Sequence, residues 1–71
     1  MKIIRKVATI IFKNDKNNWT VLLLKQNKDF ITCVGETDEI EVDDEIELEG
    51  DMVSHKVYGE QFKFISYKKV L

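Results

Sequence analysis

Apolar residues recur along this chain in short runs typical of β-strands, and polar turn residues separate the runs. The first run places β-branched and aromatic residues at positions 3, 4, 7, 10, 11 and 12, and it ends at the polar cluster 14–18. A second run extends from Trp19 to Gln26. We therefore predict a long, bent first strand joined by a hairpin to a second strand, with Asn18 able to adopt the left-handed conformation.

A third strand is predicted over residues 30–35, after a turn at 27–29. Ile31 and Cys33 would share the inner face of this strand, and the intervening residues would share the other face. The following segment, 36–44, contains too few apolar residues for a stable helix. We predict a loop there with at most one helical turn.

Acidic and apolar residues alternate cleanly in a fourth strand that begins at Glu45. Gly50 interrupts the alternation where a bulge or a barrel corner is expected, and the strand resumes through Val53. The acidic side chains of this strand are predicted to face water.

The turn after the fourth strand has the most specific local composition in the chain. Gly59 can take the positive φ that closes a tight turn, Tyr58 can anchor the turn, and His55 can exchange a hydrogen bond with its backbone. We assign all three a structural role. Beyond the turn, a fifth strand is predicted with Phe62 and Phe64 pointing into the core.

Five short strands with no convincing helix predict an all-β fold, a small five-stranded OB-like barrel. An SH3-like barrel is the nearest alternative. Closure of the sheet would remove the exposed edges of a flat sheet. The length of 71 residues predicts a single domain over 1–71.

Charge is strongly segregated along the sequence, although the net charge is only −2. Segment 36–51 contains ten acidic residues and no Lys or Arg, which gives a local charge of −10. Residues 1–28 carry seven Lys or Arg against one acid, and residues 52–71 carry four Lys against one acid. A nucleic acid is therefore expected to approach one side of the domain and to be repelled from the other.

The single cysteine, Cys33, excludes an intrachain disulfide and a cysteine-based zinc site. We expect it to be a small buried hydrophobic residue in a reducing, cytoplasmic protein. No apolar run approaches the roughly 18 residues of a membrane span, so no membrane partner is expected.

Neither a metal site nor a catalytic group is predicted for this chain. The acidic residues match no calcium-loop spacing, and strand alternation distributes Glu45, Glu47 and Glu49 along one solvated face. For His55, the sequence offers no partner Cys, Ser nucleophile or second His with which to bind a metal or to catalyse a nucleophilic reaction, which agrees with its structural assignment.

Single-strand binding by an OB barrel requires aromatic faces for base stacking and cations for the phosphates, usually on strands two and three and their flanking loops. Trp19 can serve in packing or in stacking, whereas Phe30 is expected to be exposed because its neighbour Ile31 points inward. Lys56 and Lys63 can contact phosphate or serve solubility alone. The candidate nucleic-acid-binding residues are Lys16, Trp19, Lys25, Lys28, Phe30, Lys56 and Lys63.

Three segments, taken in order, resemble the N-terminal OB-like domain of RecD/TraA-family ATP-dependent DNA helicases of the long bacterial class. They are I-I-F-K-N at 10–14, W-T-V at 19–21 and H-x-x-Y-G-x-Q-F at 55–62. The resemblance covers nearly the whole chain, from about Val7 to Tyr67. Family members often have Pro after the histidine, where this chain has Lys56.

The resemblance implies an accessory N-terminal fragment of a larger helicase of DNA repair or recombination, guiding single-stranded DNA or bracing the motor. Its implied partners are single-stranded DNA and the other helicase domains. This chain contains no G-x-x-x-x-G-K-[ST] motif, so it is not expected to be an enzyme or to hold a cofactor by itself. ATP and Mg²⁺ would belong to the parent helicase.

Two alternatives remain open at the level of sequence. A protein-docking module that does not bind DNA is favoured by the acidic segment, because acidic faces suit basic protein partners better than phosphates. A free-standing OB protein that binds single-stranded nucleic acid is the other alternative.

Overall fold

A computed structural model describes residues 1–57 and 59–70, which form a closed barrel with strand order β1-β2-β3-β5-β4. The strands are β1 (Lys2–Asn14), β2 (Trp19–Gln26), β3 (Asp29–Glu36), β4 (Glu45–His55) and β5 (Gly59–Lys69). All neighbouring strands pair in antiparallel fashion except β3 and β5, which run parallel. The predicted all-β, five-stranded barrel is confirmed, and the described residues contain no helix.

Strand β1 is shared between two neighbours. Residues 2–6 pair with β4, and residues 7–14 pair with β2. The register of the second part shifts twice, around Ala8 and around Ile11. Bulges of this kind bend a strand and increase its twist, which allows one long strand to serve both sides of the barrel.

The interior of the barrel is filled by apolar side chains from every strand and from the β3–β4 loop. The buried core consists of Val7, Leu22, Leu24, Cys33, Ile40, Ile46, Leu48, Phe62 and Phe64. Complete burial of an aliphatic or aromatic side chain contributes about 1.5–3 kcal/mol, so this core supplies the main driving force for folding. The predicted inward direction of Phe62, Phe64 and Cys33 is confirmed.

The β3–β4 loop is fastened to β1 by its backbone. The Val7 N–H donates to the Asp44 carbonyl at 2.9 Å, and the Asp43 N–H donates to the Val7 carbonyl at 2.8 Å. Asp43 adopts a positive φ of 73°, and Ile40 inserts into the core. The prediction of a loop without a full helix is confirmed for this segment.

Gly50 lies at a bulge between β4 and β5, as predicted. The register shifts between Glu49 and Gly50, and Ile65 is the unpaired extra residue on β5. A Cβ atom at position 50 would lie 2.6 Å from the Phe64 Cα and still closer to the Lys63 carbonyl oxygen. Only glycine therefore fits this crossing of the two strands.

The β4–β5 turn has the structural character expected of it. Gly59 has φ of 79°, and the Val57 N–H donates to His55 Nδ1 at 3.1 Å. Tyr58 lies outside the described residues. Asn18, in the β1–β2 turn, has the predicted left-handed conformation with φ of 60°.

Candidate nucleic-acid interface

The outer surface of β2 is apolar, although the barrel does not cover it. Leu22 and Leu24 are fully buried inside, whereas Val21 and Leu23 alternate with them and face outward. An antiparallel strand with one solvated face normally alternates apolar and polar residues. The apolar outward residues of β2 therefore indicate a surface suited to contact with another molecule.

An open groove of about 440 Å³ crosses this surface, and we call it the outer groove. It is lined by Ile11, Phe12, Val21, Thr32 and Gln61. Ile11 and Phe12 are 57% and 53% exposed. The register shift between Ile10 and Phe12 makes Ile11 an extra residue in β1, so both of these large side chains are presented to solvent.

The short ladder between β3 and β5 contributes to the shape of the groove. Among the described residues, these strands form only two pairs, Cys33 with Phe62 and Val34 with Lys63. Thr32 precedes the paired part of β3, and Gln61 precedes the paired part of β5. The two polar side chains consequently lie side by side where the strands come together.

Gln61 is 8% exposed, and its side-chain amide makes no hydrogen bond to any group of residues 1–57 or 59–70. The described part of the chain also contains no fully buried side-chain nitrogen or oxygen without a partner. The Gln61 amide therefore retains contact with solvent, which it reaches through the groove that it lines.

Three of the predicted binding residues lie together at the β2–β3 end of the barrel. Lys25 pairs directly with Phe30, and Lys28 occupies the turn between them. Phe30 is 58% exposed, as expected. Lys25 Nζ also lies 3.4 Å from Asp43 Oδ1, an exposed ion pair that engages part of its charge.

Trp19 and Lys16 lie at the opposite end of β2. Lys25 lies six positions after Trp19 along the strand, which corresponds to roughly 20 Å. Trp19 is half-buried at the edge of the barrel. The structure therefore divides the predicted aromatic pair, Trp19 and Phe30, between two ends of one surface.

Lys63 borders the outer groove, and Lys56 lies beyond it. Lys63 pairs with Val34, which in turn pairs with Val21 and then with Phe12 across the sheet. Lys56 occupies the β4–β5 turn. Because β3 and β5 are parallel, this turn and the start of β3 are at the same end of the barrel.

The charge segregation of the sequence is offset along β4, whereas the β3–β4 loop keeps its acidic residues, so the approach of a nucleic acid from one side stays a prediction. Strand β4 lies between β1 and β5, both of which carry lysines. Its acids therefore stand opposite cations on neighbouring strands. These pairs are Lys2 with Glu49, Lys6 with Glu45, Lys68 with Glu47 and Lys63 with Asp51. Glu45 and Glu49 are exposed, as predicted, and Glu47 is half-buried, although β4 is paired on both sides there.

Cys33 is fully buried, as expected, and burial raises the pKa of its thiol to about 12. Desolvation disfavours the thiolate, so this thiol has no reactive character. Within residues 1–57 and 59–70, no three His, Cys, Asp or Glu side chains are grouped in a way that could hold a metal ion. The same residues form no helix of the length and apolarity needed to cross a membrane.

None of the residues that line the outer groove was among the binding residues predicted from the sequence. A signal was present in the unbroken apolar run 21–24, which indicates a strand with apolar residues on both faces. The roles of Gln61 and Thr32 had no such signal, because their proximity depends on where β3 and β5 meet.

Comparison with known protein families agrees with the barrel seen in the structure. Residues 1–71 match the family described as the OB-fold domain of the ATP-dependent DNA helicase YrrC. This match confirms the OB type of the barrel and the resemblance to the OB-like domain of such a helicase. The search of curated proteins found no match for the chain.

Proposed function

The chain belongs to the family of OB-fold domains of the ATP-dependent DNA helicase YrrC, and from this premise we propose that it guides single-stranded DNA towards a helicase motor. The parent protein would be a cytoplasmic RecD/TraA-type enzyme of DNA repair and recombination. This domain would be its N-terminal accessory part. ATP and Mg²⁺ would be used by the motor domains and not by the barrel.

The observation that carries this proposal is the exposed aromatic wall of the outer groove. Phe12 is half-exposed and stands beside Val21, so its ring is accessible to a planar base. Stacking of a base on an aromatic side chain contributes about 1–3 kcal/mol and tolerates any sequence. Phe30, more than half-exposed near one end of the same surface, supplies a second ring.

Cations are distributed so that they can follow the phosphates of a strand crossing this surface. Lys63 borders the groove, Lys28 and Lys56 lie near one end, and Lys16 lies near the other. None of these four lysines forms an ion pair with another described residue. Their charges are therefore available to neutralise phosphate groups, although Lys63 also stands opposite Asp51 on β4.

Fluorescence anisotropy of labelled single-stranded oligonucleotides, measured at low and moderate salt, tests the proposal. We expect salt-sensitive binding that Phe12→Ala weakens about 5-fold or more, because the variant removes a stacking surface. Ile65→Ala is the matched control, since Ile65 is 85% exposed and does not line the groove. Absence of binding at low salt would contradict the DNA role, as would equal losses in both variants.

A second candidate function is docking against other helicase domains without DNA contact. The aliphatic outward side chains of β2, Val21 and Leu23, favour it because they offer apolar area with no hydrogen-bonding specificity. In this case Leu23→Ser in the full-length helicase should loosen the domain and increase its cleavage in limited proteolysis. In this case the isolated domain should bind no DNA, with or without the Leu23→Ser substitution.

The third possibility, a free-standing OB protein, is decided by the reading frame. Continuation beyond residue 71 into a motor domain supports the helicase proposal. A stop codon at that point, with no motor domain, would overturn it in favour of an independent binding protein.

A further inference from the structure

Gln61 is the one strongly buried side-chain amide of the outer groove, and the described residues leave it without a hydrogen-bond partner. A carboxamide can donate two hydrogen bonds and accept two, and a ligand that displaces water from the groove has to replace the bonds that water makes. Among residues 1–57 and 59–70, no group hydrogen-bonds to this amide, and in the free domain water reaches it through the groove. A ligand with complementary polar atoms would satisfy it.

The other groove residues define the shape and chemistry of that ligand. Phe12 offers a flat aromatic face, Ile11 and Val21 offer aliphatic contact, and the Thr32 hydroxyl adds a second polar group beside Gln61. The Thr32 hydroxyl likewise makes no hydrogen bond to another described residue. A volume of about 440 Å³ falls in the range of sites that hold small organic molecules. A planar, polar-edged ring meets all of these conditions.

We propose that the outer groove takes one unstacked nucleobase of single-stranded DNA, that Gln61 reads its edge, and that adenine is preferred over the pyrimidines. This inference rests on the proposed DNA-guiding function and adds base selectivity to it. The amide presents a donor beside an acceptor, which suits the adjacent acceptor and amino donor of adenine. Adenine offers such a pair on both of its exposed edges, whereas cytosine and thymine each offer a donor and acceptor pair on one edge only.

Phe12 and Gln61 are expected to contribute to binding in different ways, by stacking and by edge recognition respectively. Phe12 contributes affinity for any base, because every base has a π face. Gln61 contributes the difference between bases, because an unsuitable edge leaves its amide unpaired in the occupied groove. The two contributions can therefore be removed separately.

The test uses oligonucleotides of about 12 residues, long enough to cross one OB barrel. Their sequences are oligo(dA), oligo(dC), oligo(dT) and an oligo(dA) with abasic positions, each measured by fluorescence anisotropy at the same salt concentration. The unmodified domain should bind oligo(dA) roughly 5-fold more tightly than the two pyrimidine strands, and the abasic strand should bind least.

Gln61→Leu should reduce the preference for oligo(dA) to less than about 2-fold while keeping affinity for oligo(dC) and oligo(dT). Gln26→Leu is the matched control, since it makes the same substitution at the only other glutamine of the chain and outside the groove. It should leave the preference intact. Gln61→Met provides a second variant that keeps the length of the side chain.

Three failures would be distinguishable. Equal binding of the four strands by the unmodified domain would overturn base recognition and leave backbone-directed DNA guiding in place. No binding of any strand at low salt would overturn both proposals. A preference for oligo(dA) that survives in folded Gln61→Leu and Gln61→Met variants would overturn the role of Gln61. The abasic comparison needs no variant, so the inference stays testable even where a substituted barrel does not fold.

Discussion

Individual glycines of this barrel serve different purposes, and their substitutions should differ in cost. Gly50→Ala would push a Cβ against the backbone of Lys63 and Phe64, which cannot move without breaking the β4–β5 ladder. We expect a loss of roughly 2–3 kcal/mol in the free energy of unfolding, the upper range for an overpacked site. Urea denaturation measures it.

Gly59→Ala is the comparison, because position 59 has open space around it and only its positive φ opposes a side chain. The expected loss is about 1 kcal/mol, the cost of a left-handed conformation. A Gly50→Ala variant as stable as Gly59→Ala would show that the strands separate more easily at the bulge than the structure indicates.

Cys33 allows a second prediction at the level of one residue. Its pKa rises from 9.0 to about 12 on folding, so the thiol stays protonated and buried in the native protein near pH 8. We expect negligible reaction with a thiol reagent under native conditions and rapid reaction in denaturant. Fast native labelling would mean that the barrel opens at Cys33.

The same shift has a defined sign for stability. Because the folded pKa lies above the unfolded value, the contribution of the protonated Cys33 thiol to the free energy of unfolding is complete below pH 9. It is lost as the pH rises towards about 12. Cys33→Ala removes the titrating group and should flatten that part of the pH dependence. It also leaves a small cavity, so its stability near neutral pH should be lower than that of the parent.

Among the strands, β4 shows that strand pairing decides which charged residues become neighbours. Glu45, Glu47 and Glu49 appear in the sequence as an acidic patch, yet each faces a lysine on β1 or β5. Cross-strand pairs of opposite charge contribute roughly 0.2–1 kcal/mol, and like charges directly opposite are destabilising. Reversal of these charges should therefore weaken the fold itself.

We expect the triple variant Glu45→Lys, Glu47→Lys and Glu49→Lys to lower the free energy of unfolding, with a larger loss at low salt because screening reduces repulsion. Glu39→Lys is the control, since Glu39 is exposed in the β3–β4 loop and has no cross-strand partner. Thermal unfolding at two salt concentrations provides the measurement. An equal loss of stability in the triple variant at both salt concentrations would argue against charge pairing between the strands.

For the whole molecule, the arrangement of aromatic rings and lysines predicts how DNA affinity depends on salt. Each lysine that neutralises a phosphate should contribute about one unit to the slope of log affinity against log salt. Lys63→Gln, beside the groove, should reduce the slope by about 1. Lys2→Gln, on the part of β1 that pairs with β4 and away from the groove, should leave the slope unchanged. A slope that responds equally to both would indicate diffuse attraction instead of a defined DNA path.

Much of the architecture follows from local pattern. Alternation and turn residues predicted all five strands, the bulge at Gly50 and the left-handed Asn18, because these depend on neighbours in the sequence. The candidate binding surface was predicted only in part. Exposure of Phe30 follows from strand alternation, but its separation from Trp19 follows from the antiparallel pairing of β2 and β3.

The sequence by itself determined an all-β chain with a buried Cys33 and aromatic core residues on β5, since the period of a strand decides which side chains point inward. Only the tertiary structure decided which side chains face each other across the sheet. It placed acidic β4 between two basic strands, and it brought Gln61 beside Thr32 at the meeting of β3 and β5. Contacts between residues distant in the chain depend on strand order and closure, which the period of a single strand does not encode.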